Sequence, residues 1–213
     1  MMPYSAPWNT VNKFKEAWES AKLASPDHPY LVTKKVEAHD IRQSGDGLVI
    51  AIFSGEEIVG IQTISPDGTK KFMYGSSIDG GYYAINTHID DKSVIYIAEG
   101  FATAASIAEQ TGCVVICAFN AGNLPKTAAA IRQLLPDSKI IVAADGEEIG
   151  RRKADEAALL VNGVVVYAPD DQDFNDVSIV GHEAKTPVKR VEVVVSGDDR
   201  AHFVRNVFHR SGL

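Results

Sequence analysis

Cysteine is scarce in these 213 residues, with only Cys113 and Cys117 present. They share the stretch Cys113-Val114-Val115-Ile116-Cys117, which reads as a strand, so both thiols point to one face. A structural zinc site takes about four ligands. The histidines (His28, His39, His88, His182, His202, His209) are scattered without ligand spacing, so buried structural thiols are expected rather than zinc. Long apolar runs are also lacking: none approaches the roughly 20 residues that cross a bilayer. The N-terminus, Met1 to Trp8, lacks a basic stretch followed by an apolar core, so it does not read as a secretory signal. The expected location is cytoplasmic, with no membrane partner. There is no Gly-Lys-Ser/Thr phosphate loop and no Gly-x-Ser-x-Gly elbow. Positive charge is in deficit, with 21 Lys and Arg against 28 Asp and Glu, for a net charge of -7. Non-specific affinity for DNA comes from neutralised phosphates, so tight electrostatic binding by the chain alone is disfavoured. A bridging cation between two negative partners remains compatible with that charge.

What is present is ordinary globular composition, 45% hydrophobic and 23% charged. Val11, Phe14, Ala17, Trp18 and Ala21 recur at helical spacing, with Asn9 or Thr10 as caps, and predict a helix to about Ser25. Ser25-Pro26-Asp27-His28-Pro29 breaks it. From Leu48 to Ile85 short strands follow: Leu48–Phe53, Ile58–Ile64, Lys71–Tyr74 and Gly80–Ile85, a predicted antiparallel meander. Ser65-Pro66-Asp67-Gly68 is a turn in which Pro sets φ and Gly takes the left-handed position. From Ser93 strands alternate with helices: strands at Val94–Ala98, Cys113–Ala118, Ile140–Ala144 and Val164–Tyr167, helices at Ala102–Gln110, Leu124–Leu135 and Ile149–Val161. The alternation predicts an α/β fold, a mostly parallel sheet flanked by helices, preceded by a small α+β subdomain with an antiparallel sheet. The expected division is 1–90 for that subdomain, 91–180 for the α/β domain and 181–213 for a strand-helix extension, with a strand over Arg190–Val195 and a helix ending at His209.

Two of the predicted parallel strands end in acid and glycine: Ile95-Tyr96-Ile97-Ala98-Glu99-Gly100 and Ile140-Ile141-Val142-Ala143-Ala144-Asp145-Gly146-Glu147. Ligands of open parallel sheets bind at the carboxyl ends of strands. Side by side, these ends would cluster Glu99, Asp145 and Glu147, and clustered carboxylates call for a proton or a cation. Mg²⁺ takes a few carboxylates together with substrate phosphates, which points to phosphoryl-transfer chemistry. Each element has a plainer alternative: Glu99 as a helix cap, and Asp145-Gly146-Glu147 as a solvated first turn. Arg151, Arg152 and Lys153 are candidates for phosphate contacts or a solvated helix face. Phe119-Asn120-Ala121-Gly122-Asn123, with Lys126 nearby, is either an anion-binding turn or an ordinary strand-helix turn. In Asp170-Asp171-Gln172-Asp173-Phe174-Asn175-Asp176, Asp173 and Asp176 are candidates for a second metal.

Several motifs in order carry a family resemblance: His28-Pro29-Tyr30-Leu31; Gln62-Thr63-Ile64-Ser65-Pro66-Asp67-Gly68-Thr69-Lys70-Lys71-Phe72; Ile97-Ala98-Glu99-Gly100-Phe101-Ala102-Thr103-Ala104; Ala118-Phe119-Asn120-Ala121-Gly122-Asn123-Leu124; Ala143-Ala144-Asp145; and Asp173-Phe174-Asn175-Asp176. From about His28 to Val177 the chain resembles the Toprim-domain DNA primases of plasmids, phages and integrated elements. The resemblance implies a nucleotidyltransferase: a Mg²⁺- or Mn²⁺-dependent primase core that makes RNA primers on single-stranded DNA from NTPs. It implies that Glu99 is a general acid or base, that Asp145 and Glu147 hold Mg²⁺, and that the antiparallel segment helps hold the template. The chain departs from the family at Glu147, where a second Asp is usual, and in a short loop between Asp145 and Gly150. The zinc-binding module and helicase such primases often carry are not legible here, which leaves three alternatives: an excised domain, a subunit that borrows a helicase or zinc-binding module in trans, or a stand-alone protein with another role. A Toprim nuclease and a non-catalytic module of a replication complex are the alternative functions.

Overall fold

The computed structural model describes residues 8–87, 94–168 and 174–175. Helix α1 spans Trp8–Ser20 and seats Phe14 and Trp18, one turn apart, in the core. It stops before the expected Ser25 because Lys22–Leu23 forms a short strand, β1, paired with β2, Arg42–Ser44. A helix not foreseen in the sequence, α2, covers Pro29–Lys34. His28 caps it by accepting the Tyr30 N–H on Nδ1, and Pro29 occupies its first turn, where a missing N–H costs nothing.

Strands β3 (Gly47–Ser54), β4 (Glu57–Ile64) and β5 (Lys70–Phe72) complete an antiparallel sheet in the order β1-β2-β3-β4-β5. The turn into β5 is set locally. Gly68 sits at φ +85°, its N–H donates to Ser65 O, and the Asp67 carboxylate accepts the Thr69 N–H at 2.9 Å. Met73 and Tyr74, read as strand from the sequence, lie beyond β5, although the Met73 N–H still reaches Ile61 O.

The expected meander breaks at its last member. Strand β6, Tyr83–Ile85, leaves the first sheet and forms the edge of a second, in the order β10-β9-β7-β8-β6. It runs antiparallel to β8, while a bridge between Phe53 and Tyr82 ties its start to β3. The other four strands, β7 (Val94–Ala98), β8 (Val114–Cys117), β9 (Lys139–Ala144) and β10 (Val164–Tyr167), are parallel to one another. Helices α3 (Phe101–Thr111), α4 (Leu124–Leu134) and α5 (Glu148–Val161) connect them.

Alternating side chains divide this sheet between two cores. Ile95, Ile97, Ile116, Ile140 and Val142 pack with α4 and α5. Val115 and Cys117 face the other way, into a larger core that takes in α3, α1 and the antiparallel strands. Residues on both sides of the expected boundary near 90 therefore share one core, with Tyr83 stacking edge-on near Trp18 and tilted against Phe101. Phe174 is buried in the same core, and the buried Asn175 donates from Nδ2 to Lys34 O and Ser106 Oγ. The strand and helix expected after residue 180 lie outside the described residues. Among the described residues no helix is long and apolar enough to cross a membrane.

Candidate active site at the ends of two parallel strands

Strands β7 and β9 are direct parallel neighbours, with Ile97 in register with Val142. The chain leaves β7 for β8 on one side and leaves β9 for β10 on the other. This is a topological switch point, where connections diverge and open a crevice at the carboxyl ends. Glu99 and Asp145 each follow one of these ends, so the sequence expectation of adjacent strand termini holds in the topology.

Glu99 does not cap the helix that follows it. Gly100 occupies the N-cap of α3, without a side-chain cap. The backbone N–H of Ala121, from the turn after β8, instead favours the charged form of the Glu99 carboxylate. Burial raises its pKa above the ordinary carboxylate range and the charge of Glu147 adds to the rise, while the Ala121 N–H and the Lys70 ammonium partly offset it. A carboxyl of this kind is poised to exchange a proton closer to neutral pH than an exposed one.

Asp145 and Glu147 line the other side. A Cβ built on Gly150 would lie 3.7 Å from both the Glu99 Oε2 and the Asp145 carbonyl oxygen. The bare backbone of α5 thus leaves a cradle between the two strand ends. Glu147 takes the N-cap position of α5 with its side chain making no capping bond and exposed to solvent. Glu99 and Asp145 follow adjacent strand ends and the Glu147 charge reaches Glu99, but among the described residues no three His, Cys, Asp or Glu side chains gather closely enough to hold a metal ion. Mutual repulsion and the outward-facing Glu147 account for this.

The turn that meets Glu99 is rigid. Asn120 caps it by accepting the Asn123 N–H on Oδ1 at 2.9 Å, and Phe119 adopts φ +72°. Asn123, 2% exposed, accepts the Gly80 N–H on Oδ1 and donates from Nδ2 to Gly81 O and Ala118 O. The sequence motif therefore works as a lock on the turn that carries Ala121, with the Asn120 Oδ1 as one of its acceptors. Of the other phosphate candidates, Lys126 pairs with Asp79 at 2.7 Å and Lys153 with Glu156 at 2.7 Å. Arg151 donates to Ala168 O and lies over the Tyr167 ring, while Arg152 is exposed. Asp173 and Asp176 lie outside the described residues. Cys117 is sealed beneath the site, where burial pushes its thiol up to about 12, and its Sγ donates to Glu99 O.

Sequence reasoning missed Lys70. Its Nζ lies 3.4 Å from where a Cβ of Gly100 would stand, and its charge acts on both Glu99 and Cys117. Its signal was a cation at the start of the strand that follows the Ser65–Gly68 turn, but nothing local to that strand shows that it crosses to another sheet's crevice.

Comparison with known proteins agrees with this arrangement. Residues 94–183 match the Toprim domain family. Over 154 residues the chain is 32% identical to a DNA primase TraC of Escherichia coli, covering 65% of this chain and 11% of that protein. A second Escherichia coli DNA primase TraC is 31% identical over 154 residues, 14% of its length. The chain thus spans little more than a tenth of these relatives. Among solved structures, a chain from the bacteriophage T7 lagging-strand DNA polymerase complex with the primase domains of two gp4 subunits superposes with a TM-score of 0.54. It is 21% identical, and 72% of this chain matches 85% of that one. The DnaG catalytic core superposes with a TM-score of 0.55 at 10% identity, 83% of this chain on 75% of that one. These likenesses show a shared fold. Residues 94–183 thus match the Toprim domain family, within a chain that is similar over 154 residues to DNA primases TraC.

Proposed function

We propose that this chain is a primase core, of the type carried by mobile elements and phages, that joins nucleotides into RNA primers on single-stranded DNA. The observation that carries the reading is the placement of Glu99 and Asp145 on adjacent carboxyl ends of β7 and β9, with Lys70 overhanging the same crevice.

The donor set fits a hard divalent cation. It is entirely oxygen, and the proximity of the Glu99 and Glu147 charges favours an added positive one. Asp145 and Glu147 would hold Mg²⁺ or Mn²⁺, with Asp173 and Asp176 as further candidates. Bound there, the ion would neutralise triphosphate charge and polarise the reacting phosphoryl group. Glu99, ionised, accepts the proton of the attacking 3′-hydroxyl. Its raised pKa brings it nearer the operating pH, where proton transfer is most efficient. The Ala121 N–H favours the ionised form that accepts this proton. Lys70 draws the nucleotide phosphates into the crevice as a point charge. Arg152, exposed on α5, is the basic side chain of that helix best placed to meet nucleic acid from solution.

The test is primer synthesis on a single-stranded template with NTPs and Mg²⁺ or Mn²⁺. Wild type should form short RNA, and Glu99→Gln should lose about 10²- to 10⁴-fold in rate. No product from the wild type, or unchanged product from Glu99→Gln, overturns the reading.

A further inference from the structure

Helix α5 turns one face inward and leaves the opposite face to solvent. Its buried residues are Gly150, Ala154, Ala157, Ala158 and Val161, and the last four of these pack into the core shared with α4. On the other side Ile149, Arg152, Glu156 and Leu159 follow at spacings of three, four and three, which places them in one stripe. All four are exposed, Ile149 at 62% and Leu159 at 85%. Leu160, 61% exposed, borders the stripe. Surface leucines scattered singly are ordinary, but three large aliphatic side chains along one helix face mark a contact. The order of the stripe is self-complementary. From either end it reads aliphatic, charged, oppositely charged, aliphatic. In an antiparallel pair of α5 helices about a two-fold axis, Ile149 meets Leu159 of the partner subunit and Arg152 meets Glu156 of the partner subunit, and the axis repeats both contacts. A parallel pair would set arginine on arginine and glutamate on glutamate. Lys153 donates to Glu156 Oε2 at 2.7 Å, which leaves Oε1 for a guanidinium.

We propose that the outer face of α5 is the contact between two copies of this chain, packed antiparallel with the Arg152–Glu156 pairs at the centre and Ile149 and Leu159 at the ends. A second copy suits the face because the face complements itself: each charge meets its opposite and each aliphatic end meets another. Gly150, on the same helix, borders the Glu99 crevice, so the pairing joins two crevices in one assembly. The antiparallel register sets the two Gly150 positions roughly 12 Å apart along the helix axis, at about 1.5 Å per residue. Dimerisation is independent of the primase reading except at Arg152. A guanidinium that closes the contact is withdrawn from nucleic acid, so those two uses of the side chain exclude one another.

Sedimentation equilibrium of the intact chain, from micromolar to near-millimolar concentration, reads the mass directly. A contact centred on one helix pair is at the small end of stable interfaces, so wild type should pass from monomer to dimer within that range. Arg152→Glu and Glu156→Arg each set like charges against one another twice, and each should raise the dissociation constant at least about tenfold. The double variant Arg152→Glu/Glu156→Arg restores the alternation of charge and should recover most of the affinity. An equimolar mixture of the two single variants should form a mixed dimer, which neither forms with itself. Leu159→Ser should weaken the dimer while the monomer keeps its thermal stability, because the side chain is exposed. A wild type that stays monomeric at near-millimolar concentration overturns the proposal and leaves the face to the chain's own residues 181–213 or to a different protein. A dimer that tolerates both charge reversals, or single variants that fail to complement one another, overturns it equally by placing any contact elsewhere.

Discussion

The backbone N–H of Ala121, in the turn that follows β8, favours the charged form of the Glu99 carboxylate at the end of β7. The proposed acid-base group is thereby tuned from a neighbouring strand rather than from its own helix. Gly100, not Glu99, takes the N-cap of α3, and the Glu99 Oε2 lies 3.7 Å from where a Cβ of Gly150 would stand.

The raised pKa of Glu99 makes stability depend on pH in a defined direction. Between the ordinary carboxylate value of the unfolded chain and the higher folded value, the native state holds a proton that the unfolded state has released. Stability is therefore fully present below that window and falls as pH rises through it. Urea unfolding across acidic to neutral pH should show this decline in wild type and lose part of it in Glu99→Gln. Added Mg²⁺ should flatten the wild-type decline by favouring the ionised form. An identical profile for Glu99→Gln would mean that Glu99 is no more buried than a surface carboxylate.

Lys70 acts on the same equilibrium from the opposite side. Its charge lowers the Glu99 pKa, so Lys70→Ala should raise it further and move the acidic limb of the activity profile to higher pH. Lys70→Arg keeps the charge and should hold the limb near its wild-type position. The side chain is exposed, so thermal stability should change little in either variant. A uniform loss of rate with no shift in the limb would assign Lys70 to phosphate attraction alone.

Asn123 is the mechanical counterpart. Its side chain makes three hydrogen bonds, to the Gly80 N–H, Gly81 O and Ala118 O, from a nearly fully buried position. Asn123→Ala strips these backbone groups of partners in a dry interior. Only Gly81 O retains a second donor, Thr127 Oγ1 at 3.0 Å. A cost of about 2–6 kcal/mol is expected, from two groups left unsatisfied at roughly 1–3 kcal/mol each. Denaturant unfolding measures it directly. The same variant should lose activity beyond its loss of stability, because the turn that carries Ala121 is no longer locked.

The parallel part of the fold was legible because its signals are local. Strands Val94–Ala98 and Val164–Tyr167 match to the residue, and Pro125 falls in the first turn of α4. The pairing of Glu99 with Asp145 was legible because acid-glycine at a strand end has a fixed meaning in a parallel sheet. What the sequence hid was non-local. Tyr83–Ile85 has the same alternating pattern in either sheet, and only the crossing to β8 decides its membership. Helix α2 is too short for periodicity to reveal, and its His28 cap is a ring nitrogen rather than the usual hydroxyl or carboxylate. For the turn at Asn120 the sequence left open an anion site or an ordinary strand-helix turn, because its glycine and asparagines suit both. Its use as a lock depends on Asn123 reaching Gly80 and Gly81 from more than forty positions away in the chain.

Gly150 tests where the metal sits. An added Cβ would meet the Glu99 Oε2 and the Asp145 carbonyl oxygen at 3.7 Å, ordinary van der Waals contact. The glycine has no left-handed backbone to protect, so Gly150→Ala should stabilise α5 by about 0.5–1 kcal/mol, the usual helical gain over glycine. Gly150→Val extends two methyls into the cradle, where they displace solvent and crowd the oxygens that a cation would use. Calorimetric titration with Mn²⁺ should therefore show affinity reduced modestly in Gly150→Ala and severely in Gly150→Val. The urea midpoint should move upward in the first variant, which separates loss of the site from loss of the fold. Unchanged Mn²⁺ affinity in a folded Gly150→Val protein would place the ion away from the gap between Glu99 and Asp145 and leave the exposed Glu147 as its nearer anchor.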